Sequence, residues 1–271
     1  VGVKEFTQTI SISNFAQQLL IDNLRSIVPT GNALKLEIIF PKGKELALRT
    51  SNSSFGIVDG LALIGTQAEI QSSASPEQIQ ESLKLLRSKC SERAFNGNLT
   101  FVIGENGFDL AQKIGINSSS LLKIGNWIGP LLVAAAEQQV DQLLLLGYHG
   151  KLVKLAGGIF HTHNHLADAR LEVLTSIAVE EGLPLTLIKR LRQADSIQEA
   201  FNSLNAINPS IATSLWKRIA HSIEIRSEDY LRRYGKWPMR IGTCLFDRKR
   251  KLKWAGPLGL HQLSLFGVSL E

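Results

Sequence analysis

The second half of the chain constrains the fold most, because short apolar runs alternate there with glycine turns and helical stretches. From Asn98 onward this rhythm reads LTFVIGENG, then LLKIGNWIGPLLVAAAEQ, then QLLLLGYHGKLVKLAGG. Short strands that are apolar throughout and are separated by helices are typical of a parallel sheet covered on both faces. The sequence therefore predicts an α/β fold with a parallel, doubly wound, Rossmann-like domain over residues 96–205.

The opening third carries a different pattern, which predicts a mixed or antiparallel α+β domain over residues 1–95. Apolar residues at helical spacing predict a helix over residues 15–27. The Ser-Pro pair that begins at Ser75 predicts a second helix, which runs to about Ser88. Short apolar runs bounded by turn residues predict antiparallel strands at 34–40, 45–49 and 56–65.

The last part of the chain, residues 206–271, is predicted to be helical, to carry one hairpin and to pack back on the first domain. Strand-like runs at 240–246 and 251–254 flank a charged turn, which favours the hairpin. Residues 217–253 hold 12 Lys and Arg residues against four Asp and Glu residues. A solvated basic face explains such a segment, and so does attraction of a polyanionic ligand or of RNA.

Composition bounds the classes of protein to which the chain can belong. Of its 271 residues, 44% are hydrophobic and 20% charged, which suits a globular protein with a sizeable core. Its apolar runs are far shorter than the roughly 20 residues of a membrane span, and VGVKEFTQTI lacks the pattern of a secretion signal. The only cysteines, Cys90 and Cys244, are too few for a disulfide framework. We therefore expect a cytoplasmic protein that does not engage a membrane.

The densest cluster of glycine and polar residues occupies positions 147–170 and reads GYHGKLVKLAGGIFHTHNHLADAR. It follows directly on an apolar strand, and ligands of parallel sheets bind at the carboxyl ends of strands. Lys151 and Lys154 lie one helical turn apart and are candidates to bind carboxylates as point charges. In the alternative interpretation both lysines face solvent, and Gly157 and Gly158 merely permit close packing.

Three histidines at alternate positions, His161, His163 and His165, suggest a metal site. Alternate residues of an extended strand point to one side, and imidazole is the commonest metal ligand. Together with Asp168 they would supply the ligands of a metal-dependent hydrolase. The aspartate comes late in the segment, however, and no histidine follows it. Histidines that line a pocket without a metal are therefore the favoured interpretation.

Two separate segments have the pattern and the order of segments in a known enzyme family. GYHGKLVKLAGGIFHTHNHLADARLEVL contains a Gly-His-Gly-Lys stretch, a Thr-His pair and an Ala-Asp-Arg triplet. LALRTSNSSFGIVDGLALIGTQAEIQSSA contains a Thr-Ser-Asn turn before a Gly-Ile strand and a Gly-Thr loop. In these segments, and in FVIGENG and IGNWIG, the chain resembles the cobalt-precorrin-5B C(1)-methyltransferase family of anaerobic cobalamin biosynthesis. The tail after residue 215 is less similar.

The resemblance implies methyl transfer from S-adenosyl-L-methionine to C1 of the cobalt-bearing tetrapyrrole cobalt-precorrin-5B, which yields cobalt-precorrin-6A. Transfer to an electron-rich ring carbon depends on positioning and needs no protein nucleophile. Cobalt arrives bound in the substrate, so no metal site of the protein itself is expected. Nucleic acid is not expected as a partner, and the oligomeric state stays open.

The resemblance and the loop positions give candidate roles to individual residues. His149 and His163 are the candidate proton acceptors, since imidazole titrates in the useful range. The candidates for binding the macrocycle are Lys151, Lys154, Thr162, Asp168 and Arg170. The candidates for contacting the methyl donor lie at glycine turns after strands and are Gly104, Gly107, Asn126 and Gly129. Alternatively, Asp168 caps the helix that follows it and Arg170 forms a salt bridge on that helix.

Members of the family open with a further amino-terminal segment, which begins in a helix start containing Gly, Thr and Cys. Nothing similar stands before Val1, so we expect that segment and its share of substrate binding to be missing from the sequence as printed. Tyr148 and His165 are not expected to be shared by all members.

Overall fold

The computed structural model of the chain describes residues 1–47, 56–64, 76–163, 167–268 and 270. The chain divides into two compact units, Val1–Gln71 and Ser72–Glu271. The second unit contains a five-stranded sheet and carries all of the candidate site residues. The fold is α/β with a mixed sheet.

The first unit contains a short antiparallel strand pair and a helix. Strand β1 (Val3–Lys4) pairs antiparallel with β2 (Ile57–Val58). Helix α1 (Asn14–Arg25) begins where the Ser13 side chain accepts a hydrogen bond from an amide of the first turn. The helix predicted over residues 15–27 is thus confirmed to within two residues at each end.

Two of the three strands predicted for this unit are wrong where the structure describes them. Residues 34–40 form neither helix nor strand, and Gly43–Ala47 forms the short helix α2. The GKELA run favours a helical turn because Glu, Leu and Ala are strong helix formers. A strand also needs a partner, and the described residues offer none to 34–40. Residues 48–55 and 65 lie outside the described residues. Within the described part of the third predicted strand, 56–65, strand β2 is the part that forms.

The sheet of the second unit combines parallel strands with one antiparallel edge. Its strands are β3 (Asn98–Ile103), β4 (Leu121–Ile124), β5 (Gln142–Tyr148), β6 (Arg240–Phe246) and β7 (Leu252–Ala255). The order across the sheet is β4-β3-β5-β6-β7. The first four strands are parallel, and β7 runs antiparallel to β6. The predicted parallel strands and the predicted hairpin are both confirmed, and they belong to one sheet.

Helices cover both faces of this sheet. They are α3 (Pro76–Cys90), α4 (Glu105–Lys113), α5 (Ile128–Glu137), α6 (His149–Ala156), α7 (Arg170–Glu180), α8 (Leu185–Arg192), α9 (Ile197–Ile207), α10 (Pro209–Arg232) and α11 (Pro257–Leu265). Successive strand residues point to opposite faces. Phe101 and Leu143 accordingly join a buried cluster with α5, α6 and α10, whereas Val102 and Leu144 join another with α4 and α11. Two covered faces explain why these strands are apolar throughout.

The compact units do not follow the predicted boundaries at residues 95 and 205. Helix α3 packs against α5 and β4, and α10 packs against α6 and β6. Strand β6 pairs with β5 along its whole length, from Arg240 opposite Gln142 to Phe246 opposite Tyr148. The tail is therefore part of the same sheet as the strands that precede it, and the structure does not group it with the first unit.

Helix α10 is the long helix behind the sheet. The Asn208 side chain accepts a hydrogen bond from the amide of Ile211 at 3.1 Å, and Pro209 occupies the first helical position. In the described part of the chain, no helix is both long enough and apolar enough to cross a bilayer.

One carboxylate of α10, Glu224, lies in the interior and is 2% exposed. It accepts hydrogen bonds from the amides of Gly259 (2.8 Å), Thr243 (3.0 Å) and Leu258 (3.2 Å). Two of these amides belong to the first turn of α11, so the side chain caps that helix from within the core. Burial raises the pKa of Glu224 to about 7, although the three hydrogen bonds act in the opposite direction.

Candidate functional site

The carboxyl ends of the parallel strands bring several candidate residues to one edge of the sheet. Gly104 follows β3, Asn126 lies just after β4, and His149 follows β5. Strand β4 lies on one side of β3 in the sheet, and β5, the next strand along the chain, lies on the other side of β3. In open α/β sheets, ligands bind outside the carboxyl ends of the strands at such a reversal of order. We call this region, outside the ends of β3 and β5, the switch-point edge.

The segment that follows α6 returns to the end of β4 and is fixed there. The amide of Thr162 donates to the carbonyl oxygen of Asn126 at 3.0 Å, and its hydroxyl donates to Oδ1 of Asn126 at 3.0 Å. Trp127 and His161 form an isolated antiparallel bridge beside these contacts. Thr162 and Asn126 were expected to bind different ligands. They are in direct contact instead, and some of their hydrogen-bonding groups are engaged with each other.

Lys154 holds this segment in place from the adjoining helix. Its side chain is fully buried. The Nζ atom donates to the carbonyl oxygens of Ala167 at 2.6 Å and Thr162 at 3.1 Å. Burial lowers the pKa of this lysine, and Asp168 nearby opposes that shift. The ammonium therefore supports both ends of the loop between Thr162 and Ala167.

Lys151, one helical turn earlier, differs from Lys154 in having no polar partner within the described part of the chain. It is half-buried. Among the described residues, its side chain makes no hydrogen bond or ion pair. Burial lowers its pKa, and the neighbouring charge of Lys154 lowers it further. A half-buried cation without a counter-ion is costly, so an anionic ligand at this position would stabilise it.

His149 points into the aromatic core, where it is 1% exposed. The indole Nε1–H of Trp216 donates to its Nδ1 at 2.7 Å, and its Nε2 lies 3.1 Å from Oε1 of Gln198. Because indole nitrogen is only a donor, Nδ1 carries no proton and Nε2–H donates to Gln198. Burial lowers the pKa of His149 to about 4, so the ring is neutral at pH 7. Both nitrogens are engaged, which leaves neither for a substrate proton.

Asp168 and Arg170 form a bidentate ion pair with each other. Arg170 donates from Nε to Oδ1 at 2.7 Å and from its terminal nitrogen to Oδ2 at 2.9 Å. This hydrogen bonding to Arg170 is the main reason that the pKa of Asp168 is lowered. The salt-bridge interpretation of Arg170 is confirmed. Ala169 occupies the N-cap position of α7, and a backbone hydrogen bond from Arg170 also helps to lower the pKa of Asp168.

The three candidate glycines differ in what lies beside their Cα atoms. Gly104 has φ of +85°, and no atom lies within 4 Å of the position that a Cβ would take. A Cβ on Gly129 would lie 2.5 Å from the Tyr230 hydroxyl, and the Gly129 amide already donates to the carbonyl of Phe160 at 3.1 Å. A Cβ on Gly107 would lie 2.7 Å from a valine methyl of the sheet. Of the three, Gly104 is the one whose backbone faces open space.

The histidines of the segment lie close together, without the arrangement of a metal site. The His161 and His163 ring centroids are 6.4 Å apart, and Nδ1 of His161 accepts from the backbone amide of His163 at 3.4 Å. His165 lies outside the described residues. Within the described residues, no group of three or more His, Cys, Asp or Glu side chains could hold a metal ion. The hydrolase alternative therefore receives no support from the described part of the segment.

Two aromatic residues of the site were not among the candidates. Tyr148 ends β5, and its ring lies so close to the Cα of Gly150 that a Cβ there would be 2.5 Å away. Burial raises the pKa of Tyr148, and the positive charges of Arg248 and Arg170 oppose this. Trp127 packs edge to face against His161, with 4.4 Å between ring centroids. The sequence signal that could have identified these two residues is their position at the carboxyl ends of strands β5 and β4.

Carboxylates neutralise several cations of the basic segment 217–253. Ion pairs join Arg218 to Glu181 (3.0 Å), Arg232 to Asp229 (2.8 Å) and Arg250 to Asp109 (3.4 Å). Two of these partners come from helices outside the basic segment, so the excess of positive charge is smaller in the fold than in the sequence. Nothing in this arrangement favours RNA binding over a solvated face.

The fold defines a class of protein. A mixed sheet with four parallel strands, helices on both faces and a reversal of strand order are features of open α/β proteins, in which ligands bind outside the carboxyl ends of the strands at such a reversal. The comparisons with known proteins name the family within this class.

Two family models match the chain: CbiD over residues 2–72, and the C-terminal domain of CbiD over residues 161–257. The chain is 58% identical to a cobalt-precorrin-5B C(1)-methyltransferase of Prochlorococcus marinus strain MIT 9313, over 96% of this chain and 68% of that protein. It is 57% identical to the protein of that name from Prochlorococcus marinus strain CCMP1375, over 100% of this chain and 71% of the relative. The relative from Synechococcus sp. strain CC9902 is 54% identical, over 95% and 70%.

The chain belongs to the CbiD family, and the resemblance drawn from the two sequence segments is confirmed. The match extends through the tail, which had looked less similar by eye. No solved structure matches the chain.

Proposed function

We propose that this chain is the C-methyltransferase that methylates C1 of cobalt-precorrin-5B to give cobalt-precorrin-6A in anaerobic cobalamin biosynthesis. Membership of the family and 58% identity to a protein named for this reaction support the assignment. S-adenosyl-L-methionine is the methyl donor in this proposal. A cytoplasmic location stays a prediction.

The observation that carries the substrate side of the proposal is Lys151. This half-buried ammonium has no partner among the described residues, and it lies near enough to the charge of Lys154 for its pKa to be lowered. A precorrin macrocycle carries several carboxylate side chains, each of which can neutralise such a cation. Lys154, Thr162, Asp168 and Arg170 act differently in this proposal. They hold one another or the backbone, and so keep the wall of the site in shape.

The methyl donor is proposed to lie at the switch-point edge, against the turn at Gly104. The sulfonium donor supplies an electrophilic methyl group. Gly104 suits close approach of such a ligand, because its Cβ position is open and its φ of +85° disfavours other residues. The finer fold assignment, a Rossmann-like cofactor domain beside an α+β domain, belongs to this proposal. Gly107, Gly129 and Asn126 shape the turns through packing and hydrogen bonds.

The residues of the chain contribute positioning and a proton acceptor. Holding two reactants in line removes on the order of 7–11 kcal/mol from such a barrier, and no protein nucleophile is needed. We assign proton acceptance to His163, which is half-buried on the same loop as Thr162. His149 does not suit that role, because Trp216 and Gln198 engage both of its nitrogens.

Calorimetry with two ligands tests the proposal. The chain should bind S-adenosylhomocysteine, the demethylated donor, and should bind the corrin polycarboxylate cobyrinic acid. Lys151→Ala should weaken cobyrinic acid about tenfold and leave S-adenosylhomocysteine unchanged. Lys113→Ala, which removes an exposed lysine at the end of α4, is the matched control and should change neither. Equal losses for both ligands in Lys151→Ala would contradict the assignment of this lysine.

A further inference from the structure

Two buried ring nitrogens beside the end of β4, Nε1 of Trp127 and Nε2 of His161, have no hydrogen-bond partner within the part of the chain that the structure describes. The two rings touch edge to face, at 4.4 Å between centroids and 88° between planes. Buried polar atoms in folded proteins nearly always have a partner, so an unpartnered pair in contact calls for an explanation. A missing ligand with an acceptor atom is one such explanation.

Both nitrogens are donors. Indole Nε1 always carries its hydrogen. Nδ1 of His161 accepts the backbone N–H of His163, which places the ring hydrogen of the neutral imidazole on Nε2. Burial lowers the pKa of His161, and the nearby His163, Lys154 and Lys151 lower it further, so the neutral form prevails. The described residues offer this pair no acceptor.

The charges around the pair define the kind of acceptor that fits. Lys151 and Lys154 are near enough to His161 to lower its pKa. Lys154 already binds two carbonyl oxygens, and Asp168 is engaged by Arg170. Lys151 alone of these cations has no partner among the described residues. Two N–H donors beside an unpaired ammonium are complementary to a carboxylate, which offers two acceptor oxygens and one negative charge.

We propose that Trp127 Nε1–H, His161 Nε2–H and the Lys151 ammonium form a subsite for one carboxylate of the bound reactants. Trp127 and His161 are half-buried as whole residues, so part of each residue borders solvent. The antiparallel bridge between them holds their backbones side by side. The inference deepens the proposed function and rests on it. The carboxylate comes either from the macrocycle or from the amino-acid end of the methyl donor.

Calorimetry with four probes separates these sources. The probes are cobyrinic acid, its fully esterified form, S-adenosylhomocysteine, and S-adenosylhomocysteine lacking its carboxylate. Trp127→Phe and His161→Leu should each weaken the probe whose carboxylate is bound by about tenfold, and leave the matching probe without it unchanged. A loss of affinity for cobyrinic acid assigns the subsite to a carboxylate of the macrocycle. A loss of affinity for S-adenosylhomocysteine assigns it to the carboxylate of the methyl donor. Equal weakening of charged and uncharged probes, or no weakening, would overturn the subsite.

His161→Gln is the conservative control, because the glutamine amide offers an N–H near the position of Nε2. It should retain affinity within about threefold of the wild type. The wild-type protein supplies a second readout, which does not depend on the affinity of any variant. Its Trp127 indole N–H resonance, identified by its absence in Trp127→Phe, should shift downfield when the recognised probe is added. A resonance that stays in place at saturation would contradict the subsite. If the wild type binds none of the probes, the proposed function itself fails, which is a different result.

Discussion

The indole N–H of Trp216 donates a 2.7 Å hydrogen bond to Nδ1 of His149, and the two residues are 67 positions apart in the chain. The bond fixes the tautomer of a buried imidazole and ties the start of α6 to the middle of α10. Phe201 and Trp254 pack around the same ring, at 6.4 Å and 5.3 Å between centroids. His149 therefore stabilises the wall behind the site, and its protonation state affects folding.

Acid should destabilise the protein through His149. Its pKa is about 4 in the fold, against 6.5 for an unperturbed histidine. Below pH 6.5 the unfolded chain binds a proton that the folded chain excludes, so this contribution is present above pH 6.5 and is lost as pH falls toward 4. The full loss is about 3 kcal/mol. Urea unfolding of His149→Gln at several pH values should lack this fall. Unchanged slopes in the variant would show that His149 does not titrate this way.

Glu224 should act in the opposite direction over much of the same pH range. Its pKa rises from 4.5 to about 7 in the fold. The folded chain then holds a proton that the unfolded chain releases, so stability is greatest below pH 4.5 and is lost as pH rises through 7. In the wild type the two contributions largely cancel between about pH 4.5 and 6.5, where the two titration ranges overlap. Glu224→Gln should therefore unfold more easily on acidification than the wild type does, whereas His149→Gln should resist it better. Parallel curves for all three proteins would rule out this balance.

Substitutions at Lys154 and Lys151 should separate an effect on stability from an effect on ligand binding. Lys154→Met keeps the aliphatic stem but leaves the carbonyl oxygens of Thr162 and Ala167 without a donor, so the free energy of unfolding should fall by about 2–3 kcal/mol. Hydrogen exchange of the amides around Thr162 should increase in the same variant. Lys151→Ala, which removes no hydrogen bond or ion pair within the described residues, should unfold within about 0.5 kcal/mol of the wild type. Equal destabilisation by both changes would argue against the supporting role of Lys154.

The sheet was predictable from the sequence because its signal is local. Apolar runs such as 142–146 and the glycine turns that follow them specify strand, turn and helix without reference to distant residues. The loop from 147 to 170 was located for the same reason, since it leaves the end of a strand. The strand predicted at 34–40 in the opening third was wrong, because an apolar run becomes a strand only beside a partner strand. The sequence pattern does not show whether such a partner is present.

The roles of single residues were harder to predict, because they depend on contacts between distant segments. Nothing near His149 in the sequence reveals that Trp216 and Gln198 occupy its nitrogens. Lys151 and Lys154 look equivalent at a spacing of three residues, yet one is fully buried against backbone carbonyls and the other lacks a partner among the described residues. Gly129 resembles a cofactor glycine until the Tyr230 hydroxyl is seen 2.5 Å from its Cβ position.

Gly104 and Gly115 allow the proposed position of the methyl donor to be tested with a matched pair. Their φ angles are +85° and +86°, and apart from the adjacent residues no described atom lies within 4 Å of either Cβ position. Alanine should be strained at both sites, by about 1–3 kcal/mol, and more so at Gly104, whose ψ of 166° falls in a region that essentially only glycine adopts. Gly104 ends β3 at the switch-point edge, whereas Gly115 follows α4 at the opposite edge of the sheet. Gly104→Ala should weaken S-adenosylhomocysteine in calorimetry, by about tenfold, and Gly115→Ala should not. Gly115→Ala controls for a strained alanine away from the switch-point edge, and urea unfolding of both variants measures any difference in stability, so a loss confined to Gly104→Ala in folded protein supports a ligand at that turn. If the two variants bind S-adenosylhomocysteine with equal affinity, the proposal that the methyl donor lies at the turn after β3 is wrong.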